Sequence, residues 1–271
     1  MAENKQSISR LSSGANQFKL ENIEFYIKVS SSADILALLD DQPFDLCKKA
    51  VSKNGMNIKF IRPENQNEEL CLMAVTQYEF CIKYIAPEYQ TEKVCLIAVE
   101  NDGSNIQYIA PENQTEKVCL STVQQVGTYI TYIAPENQTE KVCLVAVEKD
   151  GSNIQYIAPQ NQTEKVCLMA VKVYGYHIMY IAPENQTEKV CLNAVQKNGS
   201  NIQYIAAPNQ KEDLCLMVVA EYGSDIKYIA PENQTEKVCL IAVQKDKSNI
   251  QYIAPENQTI KVVELSERST F

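Results

Sequence analysis

Residues Thr91 to Glu112, TEKVCLIAVENDGSNIQYIAPE, decide the fold. Thr91 is placed to cap a helix starting at Glu92, whose carboxylate suits a first turn. Val94, Cys95, Ala98 and Val99 follow the 3.6-residue period of an amphipathic helix. Leu96 widens that apolar stripe, as expected of a helix held between two neighbours. Gly103 then reads as a left-handed position just past the helix end, where a residue without Cβ is unstrained. A second, shorter helix follows, with Ser104 as cap and Gln107 as its reciprocal partner. Ile106, Tyr108, Ile109 and Ala110 supply its apolar content, and Pro111 stops it. The competing reading of NIQYIA is a strand, because it alternates and is β-branched. Recurrence of the same cap at Ser152, Ser200 and Ser248 favours the helix.

This stretch is one copy of many. Cys47, Cys71, Cys95, Cys119, Cys143, Cys167, Cys191, Cys215 and Cys239 fall 24 residues apart, each in a similar context. A unit of that size cannot bury its apolar side alone and must stack on its neighbours. The expected fold is therefore an all-α solenoid of tandem 24-residue two-helix repeats, one longer helix and one short, with capping ends. A β-containing solenoid is the alternative. Residues 1–30 read as a polar leader. Residues 31–259 read as one array, opening with a half-repeat cap around Asp34 to Leu39. Residues 260–271 read as a C-terminal cap and tail, with Val263 where cysteine belongs. Elsewhere the helix start is spelled Asn113-Gln114-Thr115-Glu116, so either Thr115 or Asn113 is the cap. Ala98, Ala146, Ala170, Ala194 and Ala242 share one register position, which permits close helix approach. Thr122 and Val218 are larger exceptions, expected to open the spacing locally.

A second period of 48 residues overlies the first. One unit type has a polar turn: Asn101-Asp102-Gly103-Ser104, Asp150-Gly151-Ser152, Asn198-Gly199-Ser200 and Asp246-Lys247-Ser248. The other has an aromatic turn: Tyr78 and Phe80, Gly127 and Tyr129, Tyr174 and Tyr176, then Tyr222. Val126 stands where Tyr would complete the series.

The formal net charge is -9, and no block of Lys or Arg stands out. That balance argues against a general binder of phosphate backbones. No apolar run approaches the ~18 residues of a membrane span. The first twenty residues carry no apolar signal-peptide core.

The cysteines form no CxxC or CxxxC pair, and stacked neighbours at a helix spacing exceed disulfide reach. They read as small core hydrophobes, in keeping with a reducing compartment, and no metal or other cofactor is expected. Cys81 falls outside the register and reads as the cysteine nearest the surface. The Asn-Gln-Thr triplets match a glycosylation acceptor, and read instead as helix caps. His177, the only histidine, has Asn105, Tyr129, Asn153, Asn201, Asp225 and Asn249 as register mates. A position accepting all of these reads as solvent-facing. The register of Gln107, which includes Met179, and that of Ile97 read as variable and at least partly exposed. The candidate interaction surface is thus Tyr78, Cys81, Tyr129, Tyr174, Tyr176, His177, Met179, Tyr222 and Asp225. Tyr78, Tyr174 and Tyr222 are its natural anchors, since tyrosine combines large contact area with a hydroxyl. Padding between units is the competing role for these rings. There is no GxGxxG, Walker-type loop, HExxH or nucleophile elbow, so no catalytic residue is named.

The phrase PENQTEKVCLIAVENDGSNIQYI resembles a repeat known as domain of unknown function 4116. The pattern is carried by Cys95, Ala98, Val99, Gly103, Ile106, Tyr108, Ile109, Pro111 and Gln114, and it recurs from Leu46 to Thr259. Glu79 and Lys247 at the turn glycine, Pro208 one place late and Val218 for Ala depart from it. The resemblance implies no known activity, cofactor or catalytic residue. It does imply a protein of giant viruses of amoebae or of Legionella-like bacteria, in the cytoplasm of the host or in the virion. From the architecture, the expectation is a non-enzymatic scaffold for a host or viral protein, with no nucleic acid or membrane as partner. A self-associating structural component is the alternative, and an enzyme the remote one.

Overall fold

The computed structural model describes residues 21–28, 33–39 and 41–268. Among them there are helices and no strands. Eleven α-helices recur at the 24-residue period: α1 (21–28), α2 (Phe44–Lys53), α3 (Glu68–Gln77), α4 (Glu92–Asn101), α5 (Glu116–Gln125), α6 (Glu140–Lys149), α7 (Glu164–Val171), α8 (Glu188–Lys197), α9 (Glu212–Glu221), α10 (Glu236–Lys245) and α11 (Ile260–Glu267). The chain divides between Thr122 and Val123 into two compact units. Each unit is a stack of repeats in which successive helices, and successive short turns, lie side by side.

One repeat shows how the sequence builds the stack. Thr91 is the N-cap of α4 and its hydroxyl accepts from the Val94 N–H. Threonine does the same at Thr115, Thr139, Thr163, Thr187 and Thr235. Val94, Cys95, Ala98 and Val99 of α4 are fully buried. Fully burying a side chain of valine or isoleucine size contributes about 1.5–3 kcal/mol relative to exposure, so the stack rather than any single short helix supplies the stability. The second element is neither α-helix nor strand. It is a six-residue 3-10 segment, Gly103–Tyr108, followed by a three-residue one, Pro111–Asn113. Ile106 and Ile109 point inward, whereas the Tyr108 ring stays exposed.

Three local readings change. The 3-10 segment is capped by Asp102, whose carboxylate accepts from the Ser104 N–H at 2.9 Å; Ser104 is not the cap. Gln107 instead donates back to the Ser104 carbonyl. No glycine among the described residues has positive φ, so Gly103 and its mates do not serve a left-handed turn. Their role is close approach: a Cβ on Gly127 would lie 2.8 Å from the Ala146 carbonyl and within 2.4 Å of the Asn153 amide. The Asn of each Asn-Gln-Thr triplet does not cap a helix either. Asn161 donates to the Pro135 carbonyl at 2.6 Å, Asn185 to Pro159 at 2.7 Å and Asn257 to Pro231 at 2.7 Å, each time in the preceding repeat.

The cysteines are free and buried, and burial pushes the Cys95 and Cys143 thiols up to about 12. Cys143 donates to the Gln138 carbonyl at 3.4 Å, and Cys95, Cys167, Cys191 and Cys239 make the same bond to Gln90, Gln162, Gln186 and Gln234. That glutamine column is the principal stitch of the stack. Gln138 donates to Ile133 O in its own repeat and to Tyr156 O in the next, and accepts from the Ala158 N–H at 2.8 Å. Gln66, Gln90, Gln162, Gln186, Gln210 and Gln234 repeat the pattern. Exposed pairs such as Lys189–Glu164 at 3.6 Å also cross repeats, but are worth little in water.

Residues 21–28 correct the leader reading: they form α1, with Ile23 and Ile27 buried and Lys49 paired to Glu24 at 2.9 Å. The rest of that leader, residues 1–20, 29 and 30, lies outside the described residues, as do residues 269–271 of the tail. The expected half-repeat cap contains a 3-10 segment, Asp34–Leu38. At the Val218 exception, α9 packs less closely on α8 than on α10. At the other exception, Thr122 is buried and its hydroxyl has no partner, the one such side-chain atom among the described residues.

Candidate interaction surface

The 48-residue beat has a structural cause. In the polar-turn repeats, Asn54, Asp102, Asp150, Asn198 and Asp246 cap the following 3-10 segment through their side chains. In the alternate repeats the same place holds Tyr78, Val126, Tyr174 and Tyr222, and no side-chain cap forms. These uncapped turns present apolar side chains to solvent. Tyr222 is 60% exposed, Tyr174 55% and Val173 67%. Tyr78 pairs with Phe80 at 5.8 Å between ring centroids, and Tyr174 with Tyr176 at 5.5 Å.

The position three residues further on alternates in step, and here the sequence reading is overturned. In polar-turn repeats it is a buried asparagine that donates to a helix-end carbonyl seven residues back. Asn57 bonds Ala50 O at 2.9 Å, Asn105 Ala98 O at 3.0 Å, Asn153 Ala146 O at 2.9 Å, Asn201 Ala194 O at 2.8 Å and Asn249 Ala242 O at 2.9 Å. In aromatic-turn repeats it is Cys81, Tyr129, His177 or Asp225. Cys81, His177 and Asp225 are buried and Tyr129 is half-buried. The position is thus a packing site against the glycine of the preceding repeat, not a solvent-facing one. Mixed polarity reads as exposure in sequence, but here the asparagine amides are satisfied by backbone carbonyls. Cys81, expected nearest the surface, is buried with its thiol 3.7 Å from the Met56 sulfur. Burial raises the Asp225 carboxyl above its ordinary range, with Lys227 opposing and Glu221 adding to the rise.

Of the candidate residues, the structure leaves Tyr78, Tyr174, Tyr176, Met179 and Tyr222 on the surface. The Gln107 register, with Met179, is exposed in every repeat, and the Ile97 register is partly exposed. His177 sits beneath the aromatic turn rather than on it. Its ring packs edge-on against Tyr176 at 4.6 Å and Tyr174 at 5.7 Å. Its Nδ1 lies 3.0 Å from the Ala170 carbonyl. Beside it α7 is two residues shorter than its neighbours, and its cap N–H, that of Lys172, goes to Met169 O. The glutamine column was visible only as a spacing; nothing in a single repeat shows that its amide reaches the next one.

Residues 44–90 and 67–114 match a domain of unknown function (DUF4116). Each matched segment spans about two of the 24-residue repeats described above, from α2 through the turn that precedes α5. Neither a curated protein nor a solved structure matches the chain. No helix among the described residues is long and apolar enough to cross a membrane.

Proposed function

We propose that the protein is a non-enzymatic scaffold that binds a protein partner, of a virus or its host cell, through the aromatic turns of alternate repeats. The observation that carries this reading is the exchange made at those turns. A capping hydrogen bond, worth about 1 kcal/mol in stability, is given up, and an exposed aromatic or apolar side chain stands in its place. An array selected for stability alone would keep the cap in every repeat. Exposed tyrosines are well suited to anchor a partner, because the ring offers large area at low entropic cost and the hydroxyl a hydrogen bond. The partner meets these turns in the cytoplasm or in the virion, without nucleic acid or membrane.

Cross-linking capture from infected amoebae tests the proposal, comparing wild type with a variant carrying Tyr78→Ser, Tyr174→Ser and Tyr222→Ser. The scaffold reading expects a specific partner that the variant fails to retain. Recovery of only further copies of the chain from purified particles would favour a self-assembling structural component instead.

A further inference from the structure

We propose that the tyrosine ladder Tyr156, Tyr180, Tyr204 and Tyr228 is a second docking surface, for a basic, extended segment of a protein partner. Lysines of that segment enter the slots between successive rings, beside Gln155, Met179 and Gln203. The ladder is made of other rings than the aromatic turns, and the inference goes beyond the reading of those turns.

The stack itself builds the ladder. Each of the four tyrosines ends the six-residue 3-10 segment of its repeat. Their carbonyls accept from Gln138, Gln162, Gln186 and Gln210, each in the preceding repeat, at 3.1, 3.3, 3.1 and 3.4 Å. The main chain at every ring is thus held in the same way, while the residues stay half-buried or exposed. One slot shows its occupant. The Lys227 ammonium lies 4.7 Å from the centre of the Tyr228 ring and 5.9 Å from that of Tyr252 in the next repeat. Both distances fall within the ~6 Å reach of a cation–π contact, so neighbouring rings stand close enough to share one ammonium. Lys59 and Lys83 sit over Phe60 and Tyr84 at 4.7 and 4.9 Å.

In three adjacent repeats the place of Lys227 is uncharged. Gln155, Met179 and Gln203 stand there, all exposed. Among the described residues no lysine or arginine lies over Tyr156, Tyr180 or Tyr204. These slots repeat the frame that holds the Lys227 ammonium, without the ammonium. A cation–π contact at an exposed site is weak alone, so one segment must fill several slots to be held. Helices packed side by side are about 8–10 Å apart, and a polyproline II chain returns to the same face every three residues, about 9 Å. A segment with lysine at every third position therefore matches the ladder. The net charge of -9, with Glu184 and Glu232 exposed in the turns after Tyr180 and Tyr228, favours the approach of a basic segment.

Fluorescence anisotropy with the full chain tests the proposal. The probes are a labelled peptide of three Lys-Pro-Pro triplets, the same peptide with glutamine for lysine, and one of equal composition with its lysines adjacent. Saturable binding of the first is expected, weaker by at least about tenfold for the glutamine peptide and about threefold for adjacent lysines. Met179→Lys fills a slot with the chain's own ammonium, as Lys227 does, and is expected to weaken binding at least about fivefold. Gln196→Lys adds the same charge on α8 and is expected to leave binding unchanged. Tyr180→Leu removes a ring and is expected to weaken binding at least about fivefold, whereas Tyr180→Phe, the residue type at Phe60, retains it. Lysine is already accommodated at the Met179 register by Lys59, Lys83 and Lys227, so Met179→Lys decides the matter even if Tyr180→Leu misfolds. No saturable binding, or equal binding of the adjacent-lysine peptide, would overturn the proposal. So would equal binding of the glutamine peptide, which would assign the rings to proline, or an equal effect of Met179→Lys and Gln196→Lys.

Discussion

The side-chain amide of Gln138 donates to the main-chain carbonyl of Tyr156 at 3.1 Å, joining one repeat to the next. The same side chain bonds Ile133 O and accepts from Ala158 N. Replacing it by leucine of similar length leaves one buried and two part-buried backbone groups short of a partner. Gln138→Leu is therefore expected to destabilise the protein by about 3 kcal/mol or more, taking roughly 1 kcal/mol or more for each lost bond. Chemical denaturation measures it; a loss below ~1 kcal/mol would remove the glutamine column from its role as the principal stitch.

The glycines test close approach against left-handed geometry. A Cβ on Gly151 would lie 2.4 Å from the Ala170 carbonyl and 2.5 Å from His177 Nδ1, whereas one on Gly199 meets nothing nearer than the Asp225 carboxylate at 3.0 Å. Gly151→Ala is expected to cost about 2–3 kcal/mol and Gly199→Ala clearly less. Equal costs in thermal or chemical unfolding would point to the backbone rather than the neighbour as the reason for glycine.

Asp225 carries a pH dependence. Burial raises its folded carboxyl above the ordinary 3.8, so the folded protein holds that proton more tightly than the unfolded chain does. Its contribution to stability is full below pH 3.8 and is lost as pH rises through the folded value. Asp225→Asn supplies a neutral amide able to donate to Val218 O, as Asn201 donates to Ala194 O. The variant is expected to be more stable at pH 7 by about 1–2 kcal/mol, with the gain shrinking as pH falls through the folded value toward 3.8. Denaturation midpoints at pH 3 and pH 7 check it, and a pH-independent difference contradicts the assignment.

Thr122 places a buried hydroxyl in the alanine register without a partner. Thr122→Val keeps the volume and removes the unsatisfied group, as Val218 already does at the same register position. A gain of about 1–2 kcal/mol is expected. A loss in denaturant midpoint would show that the hydroxyl is satisfied in solution.

Much of the fold was legible because local signals agree within one repeat. The period of Val94, Cys95, Ala98 and Val99, the threonine caps and the cysteine register all describe a helix with one buried face, and α4 is that helix. The turn that follows was harder to read. Gly103 carries the usual sign of a left-handed cap, yet the pressure on the glycine register comes from the next repeat, 26 residues away, which no local pattern records. His177 and Asp225 misled for a related reason. Pooling them with the asparagines hid the fact that substitution occurs only in alternate repeats, and polar character was read as exposure. The exposure of Tyr78, Tyr174 and Tyr222 was legible because an exposed ring at an uncapped turn has few long-range determinants.

The central claim is that the aromatic turns bind a partner rather than stabilise the stack. The most direct measurement is partner capture by the Tyr78→Ser, Tyr174→Ser, Tyr222→Ser variant, taken with its denaturation midpoint. The account predicts a midpoint matching wild type and partner recovery reduced at least about tenfold, corresponding to 1.4 kcal/mol of binding free energy. Undiminished recovery at an unchanged midpoint would contradict it.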